Sequence, residues 1–447
     1  MNTQAFIDQL LDLARRAGFQ AAEAYLTHGD AFEATVHQGQ INTYDVSSRL
    51  GLGFRGLYQG RMGYASTQVL DEQAAGQLVE GAMTNARLME SGEEESLYPG
   101  GDSYPQVEGL NPALEQVSAG TKLAKVLALE KAALALDPRV DQLSDCGLFT
   151  SRGGRRMVNT LGLDVAHESN SCGMYLSAVA RQGDKSSAAT KFRLGMDFEA
   201  LNVEELAREA VEEAVAGLEG GPIPSGSYPV ALRNDVAAEI LAAFTGAFSA
   251  DAAQKGLSLL KGREGEMIAA PCLTLMDDPL LAGGLASTPF DGEGVAHFAN
   301  AVIREGRLNT LLHNRKTARK QGCATTGNAA RGSYSGSVQV GPTNFFFAPG
   351  PGDRQALLAQ MDRGLLITQV QGLHSGANPV TGDFSLGARG FRVEKGKTAE
   401  PVSGITIAGN FFHMLKSTCL AAEDLYFGTS SIGSPTLWVG ELKVAGT

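Results

Sequence analysis

The chain has 447 residues and a formal net charge of −12, and it is too long for one ordinary hydrophobic core, so two or three domains are expected. No long basic run interrupts the acidic balance, which argues against phosphate backbones and anionic lipid heads as direct partners. Fifty-five glycines against 16 prolines, without a collagen-like period, point to many tight turns between short strands.

The chain opens with "MNTQAFIDQLLDLARRAGF", where Phe6, Leu10, Leu13 and Ala17 recur at helical spacing, Thr3 is a capping candidate and Gly18 a stop signal. Asp8 and Asp12 break any apolar run, which argues against a signal or transit peptide. Residues 21–67 read as a meander of β-hairpins broken at "HGD", "QGQ" and "QGR". A helix follows over 71–90, carrying Ala75, Leu78, Val79, Ala82, Ala86 and Met89 on one side, and "ESGEEESLYPGGDSYPQVEG" after it reads as a surface loop. Another helix is expected over 117–136. "GLFTSRGGRRMVNTLG" then reads as strand, Gly-Gly turn and strand, with His167, Cys172 and Tyr175 in the strand-like region beyond. "NVEELAREAVEEAVAGLEG" is an amphipathic helix, and "GGPIPSGSYP" is the best linker in the chain.

That linker divides the chain near 221 into an N-terminal α+β domain (1–220) and a C-terminal, mainly antiparallel β domain (221–447). The second part begins with strand "YPVALR" and the apolar helix "DVAAEILAAFTGAFSADAAQKG", whose low charge predicts burial on several sides. Short strands dominate from there, with hairpin turns at "REGRLN" and "EKGKTA". The expected fold is therefore α+β: helices with an antiparallel hairpin sheet, then a largely antiparallel, barrel-like domain around a buried helix. No fixed-period repeat is visible. Nor does any window reach the roughly 18 apolar residues of a membrane span.

Several segments could carry chemistry. In "TPFDGEGVAHF", Asp291, Glu293 and His297 have even spacing, so on an extended strand they would share one face and could hold a metal or move protons; equally, they could sit on a solvated polar turn. "GDFSLG" approaches a G-x-S-x-G nucleophile elbow at Ser385, with His374 or His413 as a base, but Asp383 stands where the sharp turn needs its first glycine. Cys146, Cys172, Cys272, Cys323 and Cys419 are odd in number, far apart and free of C-x-x-C spacing. They read as small buried groups in a reducing cytoplasm, not as a disulfide framework or zinc knuckle. No phosphate-cradling glycine motif occurs, and His28, His37 and His313 read as structural or exposed. In "GCATTGNAAR" and "GPTNFFFAPG", Gly327, Asn328, Arg331 and Asn344 could clamp the main chain of an extended peptide or form hydrogen-bonded corners of the fold.

Taken in order, "DDPLLAGGLASTPFDGEGV", "REGRLNTLLHNRKTARKQGCATTGNAAR", "GPTNFFFAPG", "TGDFSLGARGF" and "SPTLWVGELKVAG" resemble the TldD/PmbA (TldD/TldE) family, once described as modulators of DNA gyrase. The resemblance implies a metalloprotease system that trims and degrades unfolded peptides, in which a TldD-type chain pairs with a TldE-type chain. TldD-type chains carry an H-E-x-x-x-H helix, two histidines holding zinc and the glutamate acting as general base, and a late cysteine ligand. Laid without gaps on Lys255-Gly256, the three chemical positions fall on Leu241, Ala242 and Gly246, which offer no lone pair or have no side chain. "DLYFGTSSIGSPTL" has Ser and Thr where those chains have Cys, Cys419 lies earlier on an expected helix, and H-E-x-x-x-H occurs nowhere.

The chain thus resembles the PmbA/TldE branch. No catalytic residue, metal ligand or cofactor is assigned to it; zinc is expected in a TldD-type partner. Unfolded peptide is the expected substrate of the assembly, and the channel candidates are Asp291, Glu293, Gly294, Asn328, Arg331, Asn344 and Asp383, with His297 incidental. Two alternatives stay open: a metal-independent, peptide-binding homodimer, and an autonomous peptidase working through Ser385 or a metal on Asp291, Glu293 and His297. Neither nucleic acid nor membrane is expected as a direct partner, and the expected location is the cytoplasm.

Overall fold

A computed structural model describes residues 2–89, 96–101 and 103–447. Helix α1 (Thr3–Arg16) starts one residue earlier than its capping candidate implied: the Asn2 side chain accepts the Gln4 N–H. Phe6, Ile7, Leu10, Leu11 and Ala14 form its buried stripe, and Gly18, at φ +86°, ends it as expected.

Six antiparallel strands follow: β1 (Ala21–His37), β2 (Gln40–Tyr58), β3 (Arg61–Thr67), β4 (Gln142–Asn159), β5 (Asp164–Gln182) and β6 (Lys185–Gly195), ordered β3-β2-β1-β4-β5-β6. Turns form at Gln38-Gly39 and Gln59-Gly60, where both residues have positive φ, the backbone that matches strand twist in a two-residue hairpin. His28–Asp30 and Gly153-Gly154, read from the sequence as breaks, are not turns. They lie inside β1 and β4 and face one another, His28 opposite Gly154 and Gly29 opposite Gly153. A Cβ on Gly154 would lie 2.5 Å from the His28 Nε2, so glycine here serves a close approach between strands.

Alternation along β1 sorts the sheet's faces. Ala22, Ala24, Leu26, Phe32, Ala34 and Val36 lie under helices, while Glu23 and Tyr25 point to the opposite face. The covering helices are α1, α2 (Glu72–Leu88), α3 (Pro112–Glu115), α4 (Ala119–Leu136) and α5 (Val203–Glu219). The second face is covered by the C-terminal half. There Tyr334 lies so close to β2 that a Cβ on Gly53 would stand 1.9 Å from its carbonyl oxygen. Gly53→Ala is therefore expected to cost about 1–3 kcal/mol through overpacking. A lowered thermal midpoint checks this, and an unchanged one would mean that Tyr334 does not sit there.

The expected surface loop before α3 is corrected in its described part. Leu97 is buried, and Tyr98 and Tyr104 pack with Leu163 and Phe290. Residues 90–95 and 102 lie outside the described residues.

The C-terminal half bears out the antiparallel, barrel-like expectation. Strand β7 (Gly226–Leu232) and strands Lys397–Asn410, Asp383–Glu394, Gly364–Gln371 and Leu437–Ala445 close a five-stranded barrel, parallel only between β7 and Gly364–Gln371. Its core holds the expected buried helix, α6 (Asn234–Phe244), with Phe244 stacked on Phe411 at 4.5 Å. The helix is shorter than the apolar run implied: Thr245–Phe248 tightens to a 3₁₀ turn, and the Ser249 side chain caps a new helix, Ala250–Gln254. Gly246 and a capping serine explain that interruption. A second small sheet sets Leu275–Asp277 between Asn300–Arg304 and Phe345–Phe347. Among the described residues, no helix is long and apolar enough to cross a membrane.

Candidate functional site

Two regions contain most of the residues singled out in the sequence. The first is a buried polar network where the N-terminal sheet meets the C-terminal half. Asp291 accepts the Glu293 N–H (2.8 Å) and the Val295 N–H (3.0 Å) on one oxygen and the Ala329 N–H (3.1 Å) on the other. Those bonds and the positive φ of Gly294 fold "FDGEGV" into a turn, so its even spacing does not present an extended face. It is not a solvated turn either. Asp291, Glu293 and His297 are only 1%, 5% and 6% exposed; Tyr104 donates to the Gly294 carbonyl and the Arg315 N–H to the Glu293 carboxylate.

Burial, and then Glu293, push the Asp291 carboxyl upward against its three N–H donors. Burial also pushes His297 down to about 4, leaving a neutral ring whose Nδ1 donates to the Thr288 carbonyl at 2.7 Å.

The other channel candidates join the same network, except one. Asn328 donates to the Asp277 carboxylate at 2.6 Å and accepts from the Thr326 hydroxyl at 2.6 Å. Asn344 donates to the Asp278 carbonyl and the Ser287 hydroxyl and accepts the Ala286 N–H. Arg331 donates to the Gly292 carbonyl and pairs with Glu23, which also pairs with Arg55 at 2.9 Å across β1 and β2. Asp383 stands apart, exposed at the start of its barrel strand and bonded to Asn410. The network forms a rigid seam beside a cavity of about 390 Å³ that is lined in part by Tyr25, Arg155, His297 and Arg331.

The second region is a cleft of about 770 Å³ between α6, β6, the end of strand Gly364–Gln371 and residues 426–432. One side of α6 opens into it through Val236, Glu239, Ala242 and Ala243, positions that helical spacing puts on one face. Of the positions aligned with a zinc helix, only Ala242 faces the cleft; Leu241 is buried in the core, and Gly246 lies in the 3₁₀ turn. Thr429 and Ser430, from the stretch where TldD-type chains place cysteine, also line it.

Four charges at the cleft neutralise one another. Glu213 bridges Lys191 (2.8 Å) and Arg233 (2.7 Å), and Arg233 pairs with Asp235 (2.6 Å). Burial opposes ionisation of Asp235, but Arg233 outweighs it and holds the carboxyl below its ordinary range.

Glu239 has no such partner among the described residues. Its side chain is exposed to the cleft yet enclosed by the walls, and that enclosure, followed by the nearby Asp235 charge, pushes it up to about 7. Gln369 leaves its buried Oε1 without a hydrogen-bond partner in the same cleft. Sequence reading missed these residues. Glu239 stands one helical turn before Ala242 and was open to discovery by spacing, whereas the charged quartet joins β6, α5 and the start of α6 and has no local signature.

This donor set does not fit a zinc ion: among the described residues, no three His, Cys, Asp or Glu side chains gather where they could hold a metal. The nucleophile elbow is also corrected. Ser385 lies within a barrel strand opposite Ala408, not at a strand-to-helix turn. Cys146 and Cys172 are buried as expected, but Cys272, Cys323 and Cys419 are exposed, and Cys419 lies just beyond helix Phe411–Ser417, not on it.

Three family models match the chain in order: PmbA/TldA metallopeptidase domain 1 over residues 22–86, the central domain over 112–218 and the C-terminal domain over 225–446. A metalloprotease PmbA homolog from Haemophilus influenzae is 29% identical over 98% of this chain and 94% of its own. A Thermotoga maritima crystal structure described as a modulator of a DNA gyrase is 33% identical, with TM-score 0.92 over 99% of this chain and 100% of that one. TldE from Thermococcus kodakarensis, 24% identical, shares the fold with TM-score 0.91 over 99% of this chain and 100% of its own.

Proposed function

The chain belongs to the PmbA/TldA metallopeptidase family, and from that premise we propose that it is the PmbA/TldE-like, non-catalytic subunit of a cytoplasmic peptidase. It pairs with a TldD-type chain that holds the zinc, and together they enclose a channel that admits unfolded peptides and excludes folded proteins. Zinc supplies the polarised water in such a system, and this chain supplies wall and shape. One observation carries the reading: α6 faces the 770 Å³ cleft with Ala242 and Ala243, and Leu241 and Gly246 likewise offer no side-chain donor. The seam of Asp291, Glu293, Asn328, Arg331 and Asn344 supports it as the rigid frame of the channel, because those polar groups are spent inside the fold.

The test is to purify the chain alone and with a TldD-type protein, then measure metal content and cleavage of an unfolded peptide. The chain alone is expected to carry no stoichiometric zinc and cleave nothing, and to raise cleavage when the partner is present. Stoichiometric zinc in the isolated chain would overturn the reading, as would partner activity indifferent to its addition.

A further inference from the structure

We propose that Cys323 is a reversible S-thiolation site, where a small anionic disulfide exchanges with the thiol and leaves half of itself behind as a mixed disulfide. His313 acts on the thiol as its base, and the pocket of about 510 Å³ that Cys323 lines gives room for the adduct. Neither zinc nor a partner chain enters, so the site does not depend on the function proposed above.

The backbone brings the two side chains together. His313 precedes the short helix Arg315–Gln321 and Cys323 follows it. Gly322 closes that helix at φ +72°, which turns the chain back, and the Cys323 N–H bonds to the Ala318 carbonyl. The returning segment is then tied to the His313 backbone. Its carbonyl accepts the Asn328 N–H (3.0 Å) and the Thr325 hydroxyl (3.0 Å), and its N–H donates to the Thr326 hydroxyl (2.6 Å). This reversal sets the Cys323 sulfur 3.9 Å from the His313 Nε2, a thiol–imidazole contact that tightens when a reagent arrives. The pair is unequal in exposure: His313 is 2% exposed, while Cys323 is open to solvent. The fold thus fixes the base and presents the nucleophile.

Burial lowers His313, against smaller contributions from Glu264 and the Thr317 backbone, so the ring stands neutral at pH 7. In the tautomer that carries its proton on Nδ1, Nε2 accepts the thiol proton as the Cys323 sulfur attacks one sulfur of the disulfide. The new S–S bond forms as the old one breaks, and the departing thiolate takes the proton from the imidazolium. The Cys323 sulfur is oxidised, the departing sulfur is reduced, and protons and charge balance.

Two other exposed thiols supply the contrast. The sulfurs of Cys272 and Cys419 contact carbonyl oxygens, of Thr418 at 3.6 Å and Ser417 at 3.4 Å, and burial raises both thiols. Cys323 has a similar contact, with the Ala318 carbonyl at 3.7 Å, and adds the imidazole. Charge selects the reagent. Lys255, Arg315, Lys316 and Arg319 line the pocket against Asp251 and Glu293, so among the described residues cations outnumber carboxylates on its wall, which favours a disulfide that carries carboxylates.

The experiment treats the full reduced chain with oxidised glutathione near neutral pH, quenches with acid at intervals and reads each cysteine by peptide mass spectrometry. Cys323 is expected to be thiolated at least about tenfold faster than Cys272 or Cys419, a modest share of the roughly 10²–10⁴ that a positioned general base supplies. Dithiothreitol returns it to the thiol. His313→Gln is expected to bring Cys323 down to the rate of Cys419 and to leave Cys419 unchanged. The buried Cys146 and Cys172 stay unmodified and report that the variant is folded. Cystamine, a cationic disulfide, is expected to prefer Cys323 over Cys419 by a smaller factor than oxidised glutathione does. Equal rates at the three exposed thiols, a Cys323 rate that His313→Gln leaves unchanged, or a preference larger for cystamine overturns the proposal. The comparison among thiols of the parent needs no variant, so it decides even where His313→Gln fails to fold.

Discussion

Replacing Glu23 by glutamine is expected to lower the stability of the chain by about 3–5 kcal/mol, because it strands buried charge in place of pairing it. The Glu23 carboxylate is fully buried and joins Arg55 of β2 to Arg331 of the C-terminal half. Burial alone would push this acid up, yet the charges of Arg55 and Arg331 and their hydrogen bonds outweigh it and hold it down.

The two cations are not equivalent. Arg55 is raised despite burial by Glu23, with Glu293 adding a smaller share, whereas burial and the neighbouring Arg55 lower Arg331, which also lies over the Tyr25 ring at 4.5 Å. Without Glu23, Arg331 is the less compensated charge. Adding Arg331→Met to Glu23→Gln is therefore expected to recover part of the loss. Urea unfolding measures both, and a single variant within 1 kcal/mol of the parent (a limit well below the roughly 3–5 expected) would show that the cluster does not hold the two halves together. The sign with pH follows from the depressed folded value. The stabilisation is fully present above the unfolded value of about 4.3 and is lost as pH falls below it.

Asn328→Ala should cost about 3 kcal/mol at pH 8 and less at pH 4.5, since it removes the amide that donates to the buried Asp277 carboxylate. Burial pushes Asp277 up to about 6, while Asn328 and the Thr343 N–H and hydroxyl hold it lower than burial alone would. A raised folded value means that the native state retains a proton that the unfolded chain releases near 3.9. Stability from this group is therefore lost as pH rises from about 4 through about 6. Removing a donor to the ionised form lifts the folded value further, so the deficit widens with pH. Thermal midpoints of parent and variant at the two pH values check the sign; a deficit that shrinks at pH 8 would mean that Asn328 does not stabilise the ionised acid.

Much of the fold was legible because local chemistry and tertiary structure agree. Gln38-Gly39, Glu305-Gly306 and Lys395-Gly396 read as turns and are turns, each with positive φ at both residues. Gly153-Gly154 misled because glycine also permits close strands, and nothing in the local string distinguishes the two uses. Asp291 to Gly294 was read as a possible strand since alternation counts positions and cannot reveal a carboxylate folding back on its own backbone. Asn328, Arg331 and Asn344 were singled out as amides and a fixed cation. The partners that orient them, Asp277 for Asn328 and Glu23 for Arg331, lie far off along the chain and carry no motif. Glu239 escaped notice for a different reason: attention to the imidazoles absent at 241 and 246 and the carboxylate absent at 242 passed over a carboxylate already present on the same helical face as Ala242.

The order of synthesis gives the seam one more meaning. Glu23 leaves the ribosome 308 residues ahead of Arg331, and β7 emerges long before Leu437–Ala445, the strand that shuts the barrel beside it. The nascent chain must therefore hold an acid and a strand edge in waiting, and a translation product stopped short of residue 437 would be left with both an open barrel and surfaces that chaperones recognise.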